Sequence, residues 1–397
     1  MPPKGSQKLA VMLCKFSDTT DVEPASPQFY RDMFLGPGGL SSYWHGASLG
    51  AIDLQGTEFF GWKAFPETRD AFVAAQPSRW GKILRAIEVF GVDIKKYSAF
   101  VAFFNVGVDD GGNQNAGVVA QPVDANLTFL AHEIGHAFGL QHSFDQSMRK
   151  AADWSAPGEY FDLHDLMSAM AVHSSGMPPY APKGPLLNVV NLEIMDWLPP
   201  SRVLTMAGNS SQTLTFDLVS LGHPEIPGFL AAKIGDLYIE FRTQDIWDSG
   251  IPRAAVLLHH RMDVNSVVIA SDKATWNTEW QPGQTYGPTD PVELAVNGGT
   301  TVLIDSFDLP GKKARIRVRR TARSQKFGGI SGILVGGVAR GGNGWIITPS
   351  GKRKPLPPHS PYVAVIEWIA EAIEVEEQLF SQTQRVVPPA AKGRPLA

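Results

Sequence analysis

Residues 132–142 constrain this chain more than any other stretch, because they set three histidines and a glutamate at the spacing of a helix that ends on a glycine. His132 and His136 are four positions apart, so on a helix their imidazoles share one face about one turn from each other and can grip a single ion. Glu133, next to the first of them, can hydrogen-bond a water at that ion without being a ligand itself. Gly139 ends the helix, since only glycine enters the left-handed conformation at a helix C-terminus cheaply, and the reversed chain brings His142 round as a third nitrogen. Three neutral ligands and an open fourth position form the pattern of a catalytic zinc site rather than a closed structural one.

The surrounding residues predict the frame for such a helix. Asp124 or Asn126 can cap it, and Leu127, Leu130, Ala131, Ile134 and Phe138 recur at spacings of three and four, marking the face that packs on a core. Residues 97–106 are aromatic and apolar enough for a strand, and a helical stretch over 78–90 precedes them. The run 8–16 is continuously apolar apart from its lysines, as a buried first strand is. Cys14 lies inside that run, so its thiol is expected in the core with a raised pKa, away from any cleft.

The 132–142 pattern resembles the metzincin signature. That resemblance implies a zinc-dependent endopeptidase acting on protein or peptide substrates, with zinc held by His132, His136 and His142 and Glu133 as general base. A methionine-containing turn beneath the metal is also implied. Asp165, Leu166, Met167 and Ser168 supply it, with Met167 as the turn methionine; Met170 and Met177 are alternatives that lack the same context. Some metzincins carry a tyrosine two residues after that methionine. Here the position is Ala169, so no tyrosine switch is assigned, although Tyr160 could approach the site. Were His142 not the third ligand, Asp145 and Glu159 would be the first candidates.

At 397 residues the chain exceeds the size at which a single core usually stops growing, so more than one domain is expected. A boundary is placed near Leu198, Pro199, Pro200 and Ser201, where helical periodicity gives way to short extended runs. Seven such runs, 213–221, 229–234, 237–242, 254–260, 266–270, 300–307 and 313–320, point to an antiparallel sandwich. His259 and His260 are adjacent on one of them; their side chains point to opposite faces, which favours a structural role over chelation of one ion. The expected fold is therefore α+β: a metzincin-like catalytic domain over 1–199, a β-sandwich over 200–322, and a Gly-rich segment, a helix over 361–374 and a disordered tail within 323–397.

This two-part layout is similar to that of the immune-inhibitor-A-like and gametolysin-like secreted metallopeptidases. Looser marks of the resemblance are the 42–50 stretch with Gly61 and Trp62, the 191–198 stretch, and 237–242 with 255–260. Export and pro-segments usual in such enzymes are not seen, and the N-terminus lacks a signal-peptide core, so the compartment stays open between an extracellular one implied by the resemblance and none that the residues themselves name. With nothing ahead of residue 8 to cover the site and Cys14 in the core, the chain is expected to be active once folded with zinc.

Net charge of −4 with mixed signs gives no field for nucleic acid, and no apolar run reaches membrane-spanning length. A single cysteine excludes an internal disulfide framework. The loop 109–115 carries oxygen ligands enough for a structural calcium, against the simpler expectation of a mobile cleft-rim loop. A monomer is the default. The alternative to an enzyme is a binding or adhesion protein in which the β-rich part is the principal functional element.

Overall fold

The computed structural model describes residues 2–76, 78–108, 112–114, 117–206, 212–287, 299–321, 345–347 and 353–355. Residues 1–290 with 299–322 form one compact unit, and 291–298 with 323–397 a second. In chain order the first unit holds β1 (Gly5–Ser6), β2 (Leu9–Lys15), α1 (Pro27–Leu35), α2 (Leu40–Ala47), β3 (Ile52–Asp53), β4 (Glu58–Ala64), α3 (Arg69–Ala75), α4 (Arg79–Phe90), β5 (Ala99–Phe104), β6 (Gly112–Gln114), β7 (Gly117–Ala120), α5 (Leu127–Phe138), β8 (Phe144–Asp145) and α6 (Val189–Ile194). Strands then dominate: β9 (Val203–Met206), β10 (Gln212–Val219), β11 (Ala231–Ile234), β12 (Leu237–Arg242), β13 (Ala255–Met262), β14 (Asn265–Val268), β15 (Thr285–Tyr286), β16 (Gly299–Asp308) and β17 (Lys313–Thr321). In the second unit the described residues are one antiparallel pair, β18 (Trp345–Ile347) and β19 (Arg353–Pro355). The Gly-rich segment, the 361–374 helix and the tail expected from the sequence lie outside the described residues.

A five-stranded sheet in the order β4-β2-β5-β7-β6 carries the N-terminal half; it is parallel except for β6, which runs antiparallel along β7 at the edge. Its central strands are apolar without alternation because both faces are covered. Leu9, Val11 and Leu13 of β2, with Ala99, Val101 and Phe103 of β5, belong to one apolar cluster that also takes in Leu127, Leu130, Ala131, Ile134 and Phe138 of α5. Their neighbours Ala10, Met12, Cys14, Phe100, Ala102 and Phe104 face the other way, into a cluster with Phe72 of α3 and Ile83, Ala86 and Ile87 of α4. Cys14 is fully buried there, and burial pushes its thiol well above the usual range.

All seven extended runs form strands, with β9 and β15 in addition. They make a six-stranded sheet ordered β8-β14-β13-β12-β11-β9 and a four-stranded sheet ordered β10-β17-β16-β15. The pairing is not antiparallel throughout, since β9 joins β11 and β8 joins β14 in parallel. Ile239, Phe241, Val256 and Leu258 of the first sheet share one apolar cluster with Val302, Ile304, Ile316 and Val318 of the second. The whole is α+β. Both sides of the expected boundary at 199/200 belong to the first compact unit, because β8 precedes that boundary yet completes the sheet built after it. No helix among the described residues is long and apolar enough to cross a membrane.

Candidate metal centre

The helix α5 is built as its sequence predicts. Asn126 is the cap, its side chain accepting from the Phe129 N–H, while Asp124 belongs to the preceding 3-10 turn. Gly139, at φ 104°, stops the helix in the left-handed region that a side chain would strain. The turn it makes serves the site directly: Leu140, one residue on, presents its carbonyl oxygen 2.8 Å from His136 Nδ1.

The other two ligand candidates are held in the same way. His132 Nδ1 lies 3.0 Å from the Leu166 carbonyl, and His142 Nδ1 lies 2.5 Å from Glu159 Oε1. Two of these partners are backbone carbonyls and the third a carboxylate, so each Nδ1 must be the one that carries hydrogen. In a neutral imidazole so held, Nε2 keeps a bare lone pair. Yet the three Nε2 atoms converge, with 3.0 Å from His136 Nε2 to His132 Nε2 and 2.9 Å from His136 Nε2 to His142 Nε2. Lone pairs that close repel one another unless a cation sits among them, and tetrahedral bonds of about 2.0–2.1 Å from one zinc ion would hold them at about 3.3–3.4 Å, a few tenths of an ångström further apart. The residues present thus could hold a metal ion, with the orienting partners that metal-binding histidines require. Burial, before any neighbouring charge, keeps two of the imidazoles neutral: His132 is held well below the usual histidine range and His136 is pushed down to about 4.

Glu133 is nearly buried and lines, with the three histidines, a cleft of about 730 Å³ that also includes Arg79, Tyr160 and Met170. Tyr160 comes closer than its sequence position discloses: its hydroxyl is 3.1 Å from His142 Nε2. Burial is the first reason its phenol is raised above the ordinary value, followed by the charges of Glu159 and Glu133.

Met167 lies beneath α5 in a 3-10 turn over Leu166–Ser168 and is fully buried, whereas Met170 and Met177 are 57% and 61% exposed. A Cβ on Gly135 would stand 2.8 Å from the Met167 sulfur, so this glycine is what lets the helix settle on the turn. Asp165 fixes the turn by accepting from the Met167 N–H at 3.0 Å and from Ser143, Asn188 and Asn191. Burial and then the nearby Asp162 push its carboxyl up to about 7. Ala169 follows on the cleft lining.

Of the reserve ligands, Glu159 faces the back of His142 rather than the converging nitrogens, and Asp145 is engaged by Ser147 and Arg149. His259 is buried against Asp162 at 3.0 Å, while His260 turns the opposite way towards Tyr286. Burial opposes protonation of His259, but Asp162 outweighs it and raises the imidazole. The loop considered for calcium is described only at 112–114, as the backbone of β6; the rest lies outside the described residues.

Two features escaped the sequence. Glu159 as the partner of His142 Nδ1 carries no spacing signal, because the pairing spans a loop. The grouping of His164, His173 and Glu279 could not be foreseen either, since Glu279 is more than a hundred residues from the other two. Compared with protein-family models, with curated proteins and with solved structures, the chain finds no match.

Proposed function

We propose that the chain is a zinc-dependent endopeptidase of the metzincin type, with a catalytic part that rests on the β-sandwich made by the two C-terminal sheets. One observation carries the reading: three imidazoles, each with its Nδ1 beside an acceptor, bring their Nε2 atoms together on the cleft that Glu133 also lines. His132, His136 and His142 would hold the zinc, which when bound would supply Lewis acidity towards the scissile carbonyl and the attacking water. Glu133, on the same cleft, takes the proton of that water and returns it to the departing amine. Tyr160, kept protonated, offers its hydroxyl to the charge that develops on the carbonyl oxygen. Arg79 and Met170 bound the space a peptide would fill, and β6, the sheet's outer strand, offers a backbone edge to an extended substrate.

The purpose of Glu133 separates this reading from a purely structural ion, which needs no base beside it. Incubation of the zinc-loaded full chain with casein and a peptide library tests the proposal. Cleavage that a chelator abolishes and added zinc restores is expected; no cleavage by protein with zinc on the three histidines, or cleavage indifferent to chelation, overturns it.

A further inference from the structure

Away from the cleft, His164, His173 and Glu279 each bring a ligand atom to within 4.8 Å of the others. His164 is 1% exposed and Glu279 5%. Both ring nitrogens of His164 and Oε1 of Glu279 have no hydrogen-bond partner among the described residues. Buried polar atoms are almost always satisfied, and one nitrogen of His164 meeting Glu279 Oε1 in the cluster, both unsatisfied, asks for a partner of another kind. The separation of His164 Nε2 from Glu279 Oε1 is 3.4 Å. That is long for a charge-assisted hydrogen bond, which runs about 2.7–2.9 Å. It is, however, about the edge of a tetrahedron whose bonds to zinc are about 2.0–2.2 Å.

The ring geometry agrees. His164 and His173 have centroids 5.1 Å apart with planes at 72°. In the cleft, His132 with His136 and His136 with His142 stand at 4.6 Å and at 88° and 70°. His164 and His173 are thus turned edge to face like two of the three cleft pairs, while His132 and His142 lie nearly parallel at 21°. The supports are also in place. Arg253 Nε donates to the other Glu279 oxygen at 2.5 Å, leaving Oε1 disengaged, and the Glu279 N–H is held by Asn277 at 2.9 Å. Trp280, next along, is bonded to Val256 of β13 through both backbone groups. On the opposite side, the His164 and His173 N–H groups are tied to Asp162 and to the Leu163 carbonyl.

We propose that His164, His173 and Glu279 form a second, structural metal site for a borderline divalent cation such as zinc. Two imidazole nitrogens and one carboxylate oxygen suit Zn²⁺, and the set is wrong for Ca²⁺, which takes six to eight oxygens. His173 is the partly exposed member of the three. The ion ties the 164–173 segment, whose Leu166 carbonyl orients His132, to the strand region around Trp280 and Val256. The assignment stands whatever chemistry the cleft performs.

Metal content tests it on the full chain, reloaded with Zn²⁺ or Co²⁺ and passed into metal-free buffer, for wild type, His173→Gln, Glu279→Gln and His142→Ala, with circular dichroism to verify folding. Two equivalents in wild type and one in either second-site variant are expected, with a lower Tm in those variants. A wild type with one equivalent that His173→Gln leaves in place and His142→Ala removes overturns the second site. So does a wild type with two equivalents that His173→Gln leaves at two. One equivalent that survives His142→Ala but not His173→Gln would support the second site and sink the catalytic one. The wild-type count does not depend on variants that fold, and a wild type that holds no metal refutes both sites.

Discussion

At the scale of single residues, the convergence of His132, His136 and His142 was legible and what supports them was not. Histidines four apart on a helix and a third beyond a glycine announce themselves through period alone. The acceptors that fix their tautomers do not, because two are backbone carbonyls of any residue type and the third is Glu159, which reaches His142 across a loop. Glu133 and Glu159 therefore make opposite predictions. Glu133→Gln leaves zinc near one equivalent at the cleft while turnover falls by about 10²–10⁴, the range for loss of a positioned base; wild-type rates from a clean preparation would remove Glu133 from the mechanism. Glu159→Ala instead weakens metal affinity by about 10–100-fold, the usual loss for an orienting partner. Glu159→Gln retains an acceptor for the Nδ1 hydrogen and falls between the two, as competitive titration against a chelator will measure. Equal affinity in all three proteins would mean that Glu159 merely packs beside the ring.

At the scale of elements, apolar periodicity located α5, α4, β2 and β5, and each differs from its expected span by only a residue or two at the ends. Both faces of the five-stranded sheet are covered, which is why its strands read as unbroken apolar runs and were simple to see. The four short helices α1, α2, α3 and α6, of six to nine residues each, went unassigned. Met167 was separable from Met170 and Met177 only by context, yet burial distinguishes them at once, since the turn fits into the space that Gly135 leaves on the helix. That fit is measurable. Gly135→Ala is expected to cost about 1–3 kcal/mol by overpacking against the Met167 sulfur. In a Met167→Ala background most of that cost should vanish, because the crowded atom is gone. A double-mutant cycle by denaturant unfolding checks it, and strictly additive effects would show that helix and turn do not bear on each other there.

At the scale of the whole molecule, the change from helical to strand-like periodicity near residue 199 is real, but it marks a change of element type inside one compact unit. A sequence shows where its period changes; it does not show which buried polar groups span the change. Arg242 is fully buried and forked onto Asp248 at 2.5 and 2.6 Å, with Glu240 at 3.1 Å. Both carboxylates also accept from the chain before residue 199, Asp248 from the Leu186 N–H at 3.0 Å and Glu240 from the Val189 N–H at 2.7 Å. His259 likewise depends on Asp162, Ser266 on Asn188, and β14 on β8. A fragment of residues 200–322 would keep Arg242 on Glu240 and Asp248 but strip from them the Val189 and Leu186 N–H donors, remove the carboxylate from His259 and open the edge of β14. Buried polar groups left without a partner cost about 1–3 kcal/mol each, and several together are comparable with the entire stability of a domain this size. The isolated 200–322 fragment is therefore expected not to fold, and the 1–322 chain to unfold in one cooperative transition seen alike by near-UV and far-UV circular dichroism. A dispersed amide NMR spectrum and a cooperative melt from the fragment alone would show instead that the strand-rich half is self-sufficient, and that the polar groups crossing residue 199 join two domains rather than complete one.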